Sequence, residues 1–366
     1  MGSSRWKRSR LCSVISIRAT RTLDTIFARY CSLPSPRCCA APDLFRHLAL
    51  WAGKGSDAAK CAHSGAWHPV ARHHLGAVSL VPTAFAEAFA GFMRHVASAS
   101  GGAGQIAIDG KSMRGAFEKG RQFAPRMMVS AWGAQLRMTL AALPAQGGNE
   151  ARAAIELLRL IDLRGAVVTA DALHCSTRMA EEITRRGGDY VLALKGNQGL
   201  LLADAERLIA GRPPPTAALA VTEEVGHGRL ERRAARVVRA PGLGRKHGFA
   251  GLAAIGEVKR TRVIDGKRQE ECCLYVLSRP MSANHLLAVV RRHWDVENGL
   301  HWQLDMIFRE DDCRTRKDHG PENLALLRRF CLNTFRADSK KDTMRDKMMR
   351  AGWNDAYLFQ LMPQMR

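Results

Sequence analysis

No C-x-x-C pair occurs in this 366-residue chain, although it holds ten cysteines. A structural zinc site or a disulfide scaffold needs close, paired spacings of that kind, so neither is expected. Cys38 with Cys39 and Cys272 with Cys273 are adjacent pairs, which rarely bridge to each other. Reduced thiols in a cytosol fit best. Nor is there a run of 18 apolar residues, so no segment is expected to span a membrane. The basic start SSRWKRSRLCSVISIRATR lacks the unbroken apolar stretch of a signal peptide, because Arg18 and Arg21 interrupt it. Export is not expected, although an Arg- and Ser-rich start can mimic an organellar transit peptide. Acidic residues are scarce as well: 34 Asp and Glu against 56 Lys and Arg leave a net charge of +22. Such a surplus favours a polyanionic partner, nucleic acid first, over a basic protein with no specific ligand. Arginine outnumbers lysine, which suits bidentate phosphate contacts and also follows from GC-rich coding. The 46% apolar content suffices for one large core or two moderate ones.

What is present is concentrated in Arg291 to Asn333, RRHWDVENGLHWQLDMIFREDDCRTRKDHGPENLALLRRFCLN. Trp294, Leu300, Leu304 and Ile307 recur at helical spacing and predict one apolar stripe. Glu297 falls three residues after Trp294 and four before His301, beside that stripe, where a carboxylate is costly unless something positive meets it. Pairing with Arg292 or escape to solvent is the alternative. Two further carboxylates stand in QIAIDGKSMR, 105–114, and GAVVTADALH, 165–174. In each, a short apolar run ends in an Asp, the pattern of a buried strand delivering a side chain at its tip. Asp109 and Asp171 are those tips, although a lone Asp there also forms turns. Two strand-end aspartates and a helix glutamate can converge on divalent cations, and hard Mg²⁺ prefers carboxylates and water to Cys or His.

The motifs IAIDGKSMRGA, VVTADALHC, GGDYVLALKGNQ, GHGRLERR and RHWDVENGLHWQLDMIFREDDCRTR, in this order, resemble the DDE transposases of bacterial insertion sequences, in the H-repeat-associated branch. The resemblance covers about residues 80 to 335. It implies an α/β, ribonuclease H-like (retroviral integrase-type) catalytic core with a β-rich insertion. It also implies that Asp109, Asp171 and Glu297 are the catalytic residues, holding two Mg²⁺ ions for which Mn²⁺ can substitute. DNA, both element ends and target, is the implied partner, bound by a dimer or larger assembly. A cytoplasmic, nucleoid-associated protein is expected. The expected activity is cleavage of DNA followed by strand transfer. A plain metal-dependent nuclease of the same fold and an inactive DNA-binding remnant are the alternatives. In some related enzymes a Tyr and a Lys flank the Glu at set distances; Leu304 stands in the place of that Lys, so no such role is assigned.

In order, residues 1–80 form an atypical basic segment, read as frame-shifted or degenerate. Its first 75 residues hold twelve Lys and Arg, three Asp and no Glu. Residues 81–198 are the first part of the catalytic core. This part opens with a helix at 83–97 carrying Phe85, Phe89, Phe92 and Val96, with Thr83 as a possible cap. Strands follow at about 105–109, 126–132 and 135–142, a helix at Asn149 to Leu163, and a helix at Ser176 to Arg186. Lys111 and Arg114 are either a solvated turn or phosphate contacts beside the metals. His174 is either a proton carrier or structural. Lys195 and Asn197 end the strand 189–195 as a DNA grip or a polar turn. Asp109 and Asp171 are 62 residues apart, and Asp171 and Glu297 126 apart, so an insertion is expected in the second gap. It is placed at 199–283 and made basic by His227, Arg229, Arg232 and Arg233, a DNA face or a protected edge. Residues 284–335 complete the core with the Glu helix, and Arg292 and His293 are candidate contacts to the scissile phosphate. Glu310, Asp311 and Asp312 are read as surface ion pairs, or else as a source of a further metal ligand. The basic tail 336–366 is expected to be solvated over 336–350.

Overall fold

The computed structural model describes residues 81–361 apart from 103, 117–125, 213–218, 227–228, 265–266 and 317. The segment 1–80, with its shifted-frame reading, and His227 lie outside the described residues. The described chain divides into two compact sections. One holds Gly110–Ile161, Glu297 onward and the helix before residue 103, and the other holds Gly104–Asp109 and Asp162–Val296.

Strand β1 (Gln105–Ser112) is common to both. In the first section, β2 (Met127–Gly133) and β3 (Met138–Pro144) continue from it as an antiparallel hairpin in the order β3-β2-β1. Helix α1 (Pro82–Ala99) lies on β3 with Ala86, Phe89, Ala90, Met93 and Val96 buried. The inward face therefore lies beside the predicted Phe85 and Phe92. Pro82 rather than Thr83 begins the helix, and no side chain caps it. Helix α2 (Glu150–Leu158) starts at Asn149, whose Oδ1 accepts the Arg152 amide at 3.0 Å; it ends earlier than its apolar pattern suggests.

In the second section, β1 is parallel to β4 (Val167–Ala170), and β4 to β5 (Asp189–Leu194). Helix α3 (Thr177–Arg185) joins β4 to β5, capped by Ser176. Helices α4 (Gly199–Ala210) and α5 (Pro241–His247) belong to the predicted insertion. So do β6 (Ala220–Gly226), β7 (Arg229–Arg239), β8 (Ala254–Ile264) and β9 (Lys267–Leu277). These strands do not make a sheet of their own: β9 pairs antiparallel with β5, giving the order β1-β4-β5-β9-β8-β7-β6. Helix α6 (Ala283–His293) crosses this sheet and buries Leu286, Leu287 and Val289 against Val167, Ala254 and Val258. Gly256 permits that approach, since a Cβ there would stand 2.6 Å from a Leu286 methyl. The fold is thus α/β and ribonuclease H-like, a mixed sheet flanked by helices, with β6 to β9 added to it.

The tail departs from expectation. After α7 (Trp302–Met306) and α8 (Gly320–Ala337), the basic segment folds into α9 (Met344–Trp353), followed by α10 (Asp355–Leu361). Lys347 is buried, donating to the carbonyls of Phe335 at 3.0 Å and Asp338 at 2.9 Å. The Asp338 carboxylate in turn accepts the Tyr357 hydroxyl at 2.6 Å. Lys347→Ala is accordingly expected to destabilise the protein by about 3 kcal/mol, because a buried acceptor cluster loses its cation. A melting curve matching wild type would return the tail to a solvated reading.

Candidate catalytic site

Asp109 and Asp171 come from adjacent parallel strands. The β1/β4 register ends at Ile108 opposite Ala170, so the two aspartates are the next residues on each strand. Because side chains alternate along a strand, Gln105, Ala107 and Asp109 share a face with Val167, Thr169 and Asp171. Asp109 is half-buried, while Asp171 is 51% exposed. The Asp171 Oδ1 accepts the Leu173 amide at 3.0 Å, capping a short turn over Ala172–His174. His174 is buried with its Nε2 4.0 Å from that oxygen. The Asn197 amide donates to the carbonyls of Ala172 at 2.7 Å and Cys175 at 3.3 Å. It therefore ties down the turn beside Asp171 while remaining exposed.

Helix α6 runs across the same face. Gln105 Nε2 donates to the Val289 carbonyl at 2.8 Å, and the Thr169 hydroxyl meets His293 Nδ1 at 3.0 Å. His293 is therefore buried against β4. Arg292, its neighbour, is exposed, and so is Lys195. Arg229 opens β7 opposite Gly226 and Ile264.

Glu297 begins a π-helical turn, Glu297–His301. Such turns insert a residue into a helix and recur at functional sites. The insertion changes the buried face: Val296, Leu300, Leu304 and Phe308 are fully enclosed, while the predicted stripe residue Trp294 is exposed. Glu297 is 51% exposed with Oε2 3.3 Å from His301 Nδ1. Sequence reading noted the four-residue spacing to His301 but gave the histidine no role. The turn is locked from behind. Gly299 lies against Trp132, Arg336 donates to the carbonyls of Gly299 and Arg137, and its guanidinium covers the Trp132 ring at 4.6 Å. Burial pulls the Arg336 pKa down to about 9, so it stays charged at neutral pH. A methyl at 299 would stand 2.7 Å from Trp132 Cζ2. Gly299→Ala is therefore expected to cost about 1–3 kcal/mol, and to displace the turn bearing Glu297. The melting temperature should fall, and a variant that melts like wild type would refute the locking role.

Two charge assignments change. Lys111 is on β1 rather than a solvated turn, held by Asp305 at 2.8 Å and Asp311 at 3.0 Å. Arg114 is exposed, 3.5 Å from Asp311. Of the acidic run, Asp312 pairs with Arg309 at the surface at 2.8 Å, as read from sequence, but Glu310 is buried with Arg329 at 3.1 Å. Burial raises the Asp305 pKa, with Lys111 opposing.

Residues 100–334 match the family described as Transposase DDE domain, and the chain belongs to the DDE transposases. Within that class it stands with the H-repeat-associated branch. It is 32% identical to YbfL of Escherichia coli K12 over 288 residues, 76% of each chain. It is 31% identical to YhhI of the same strain, an H repeat-associated transposase candidate, also over 288 residues and 76% of each chain. The cryo-EM structure of the piggyBac transposase synaptic complex with hairpin DNA gives a TM-score of 0.44 at 11% identity, covering 98% of this chain and 81% of that one. So distant a likeness transfers no residue roles. Among the described residues, no helix is long and apolar enough to cross a membrane.

Proposed function

We propose that this protein cuts DNA at the ends of an insertion sequence and joins the freed ends to target DNA, using divalent cations held by Asp109, Asp171 and Glu297. The observation that carries the reading is the register of α6 on the sheet. Val289 meets Gln105, and His293 meets Thr169, which is level with Ala107. Four helical residues rise about 6 Å, and two strand residues rise about 6.6 Å, so helix and strands advance together. The next residues on the two strands are Asp109 and Asp171, on the face along which α6 runs.

The donor chemistry suits a divalent cation. Asp109, Asp171 and Glu297 each offer hard carboxylate oxygens, the donors that such an ion takes. Mg²⁺ is the expected ion, two per site, with Mn²⁺ able to substitute. When bound, a cation pair supplies a deprotonated nucleophile at neutral pH and stabilises the leaving oxygen. His301 holds the Glu297 carboxylate in one orientation, and Asn197 holds the turn that presents Asp171. The exposed Arg114, Lys195 and Arg292 supply phosphate contacts. Two or more copies act on paired ends.

Full-length protein, incubated with Mg²⁺ and DNA carrying the sequences that flank its own gene, should yield strand-transfer products. Cleavage without transfer would reduce the function to a nuclease. DNA binding without cleavage would leave a binding remnant.

A further inference from the structure

Lys111 has no part in the chemistry above, yet it is enclosed two residues beyond Asp109, with 7% of its side chain exposed. An ammonium group so placed is costly unless carboxylates meet it. Two do, Asp305 at 2.8 Å and Asp311 at 3.0 Å. Asp305 lies on α7, which continues directly from the π turn that Glu297 begins. Asp311 lies in the following loop and also accepts the Arg114 backbone N–H at 3.3 Å. One nitrogen thus gathers the end of β1, the helix after Glu297 and the loop beyond it. Phosphate contact is a poor alternative use, because one positive charge between two negative ones attracts no anion.

We propose that Lys111 is a positioning residue whose ammonium clamps the end of β1, two residues past Asp109, to α7 and the loop beyond it, fixing the strand end that carries this metal carboxylate before a cation arrives. The inference rests on the carboxylate reading above. Removing the ammonium leaves Asp305 and Asp311 facing each other across a half-buried gap, and two like charges relieve that repulsion by moving apart.

The test is Mn²⁺ binding by the full chain, followed through the electron paramagnetic resonance signal of free Mn²⁺, for wild type and Lys111→Met. Alongside it, affinity for a random-sequence DNA duplex is measured against salt. Lys111→Met should weaken Mn²⁺ binding and leave the salt slope unchanged. Lys111→Arg should recover most of the loss. Unchanged Mn²⁺ affinity overturns the clamp, and a salt slope lowered by about one would make Lys111 a phosphate contact instead. If Lys111→Met does not fold, Asp305→Asn and Asp311→Asn decide: each should weaken Mn²⁺ severalfold, and no change in either overturns the proposal. Asp109→Asn separates the two levels. Wild-type Mn²⁺ affinity in that variant sinks the carboxylate reading itself, whereas weakened binding there with an unchanged Lys111→Met sinks only the clamp.

Discussion

Asp109→Asn should leave DNA bound and uncut. The substitution keeps the shape of the strand tip but removes the charge proposed to hold the divalent cations. Metal stabilisation of the transition state amounts to several kcal/mol, and a loss of about 4 kcal/mol is roughly three powers of ten in rate. Phosphate contacts come from other residues, so affinity and its salt slope should scarcely move. Glu297→Gln should behave in the same way. Asp171→Asn should also slow cleavage, but its amide cannot cap the Leu173 N–H equally in every rotamer, so a modest loss of stability should accompany it. The measurement is single-turnover cleavage in Mg²⁺ beside a salt titration of binding. If Asp109→Asn cuts at even a tenth of the wild-type rate, the assignment of this carboxylate is wrong.

Arg329→Met is expected to have the largest effect on stability. Arg329 is 0% exposed and Glu310 1% exposed, with 3.1 Å between them. The guanidinium also donates to Ser130 Oγ at 3.0 Å and to the Ala325 carbonyl at 3.0 Å, joining α8 to β2. Methionine fills part of the volume but strands a buried carboxylate, a defect worth about 3–5 kcal/mol. At about 2–4 °C per kcal/mol for a domain of this order of size, melting should fall by roughly 10 °C. Replacing both partners, Arg329→Met with Glu310→Leu, should recover much of the loss, because no charge is then left unpaired. If the single variant melts like wild type, Glu310 is not sustained by Arg329, and its reading as a metal ligand reopens.

The strand tips were legible because a buried strand advertises itself locally. Ile106 to Ile108 are apolar, Val167 to Ala170 are apolar or β-branched, both runs stop at an Asp, and the register places those two stops side by side. The helical pattern of α6 and the π turn was only partly legible. The extra residue of the π turn moves the buried face off Trp294, and no periodicity computed at 3.6 residues per turn can include it. The buried charges were the least legible. Lys111 and Asp311 are 200 residues apart, and Arg329 and Ser130 199 apart, so the partner that makes burial tolerable is invisible in the local sequence. The partners of His293 and Asn197, namely Thr169 and the carbonyls of Ala172 and Cys175, were hidden for the same reason: they lie on other segments. The β-rich character of 199–283 was visible, but its edgewise attachment to β5 depends on a pairing that composition does not encode.

That attachment has a consequence for biosynthesis. Leu194 of β5 pairs with Leu274 of β9, so 80 residues must be translated before the outer edge of β5 finds its neighbour. At about 5–20 residues per second this is roughly 4–16 s of waiting on the ribosome. Throughout, DYVLAL offers open amides and carbonyls to any passing nascent chain, the template from which aggregates grow. A gene copy that loses the codons for 199–283 would retain all three acidic residues and still be expected to accumulate in inclusion bodies.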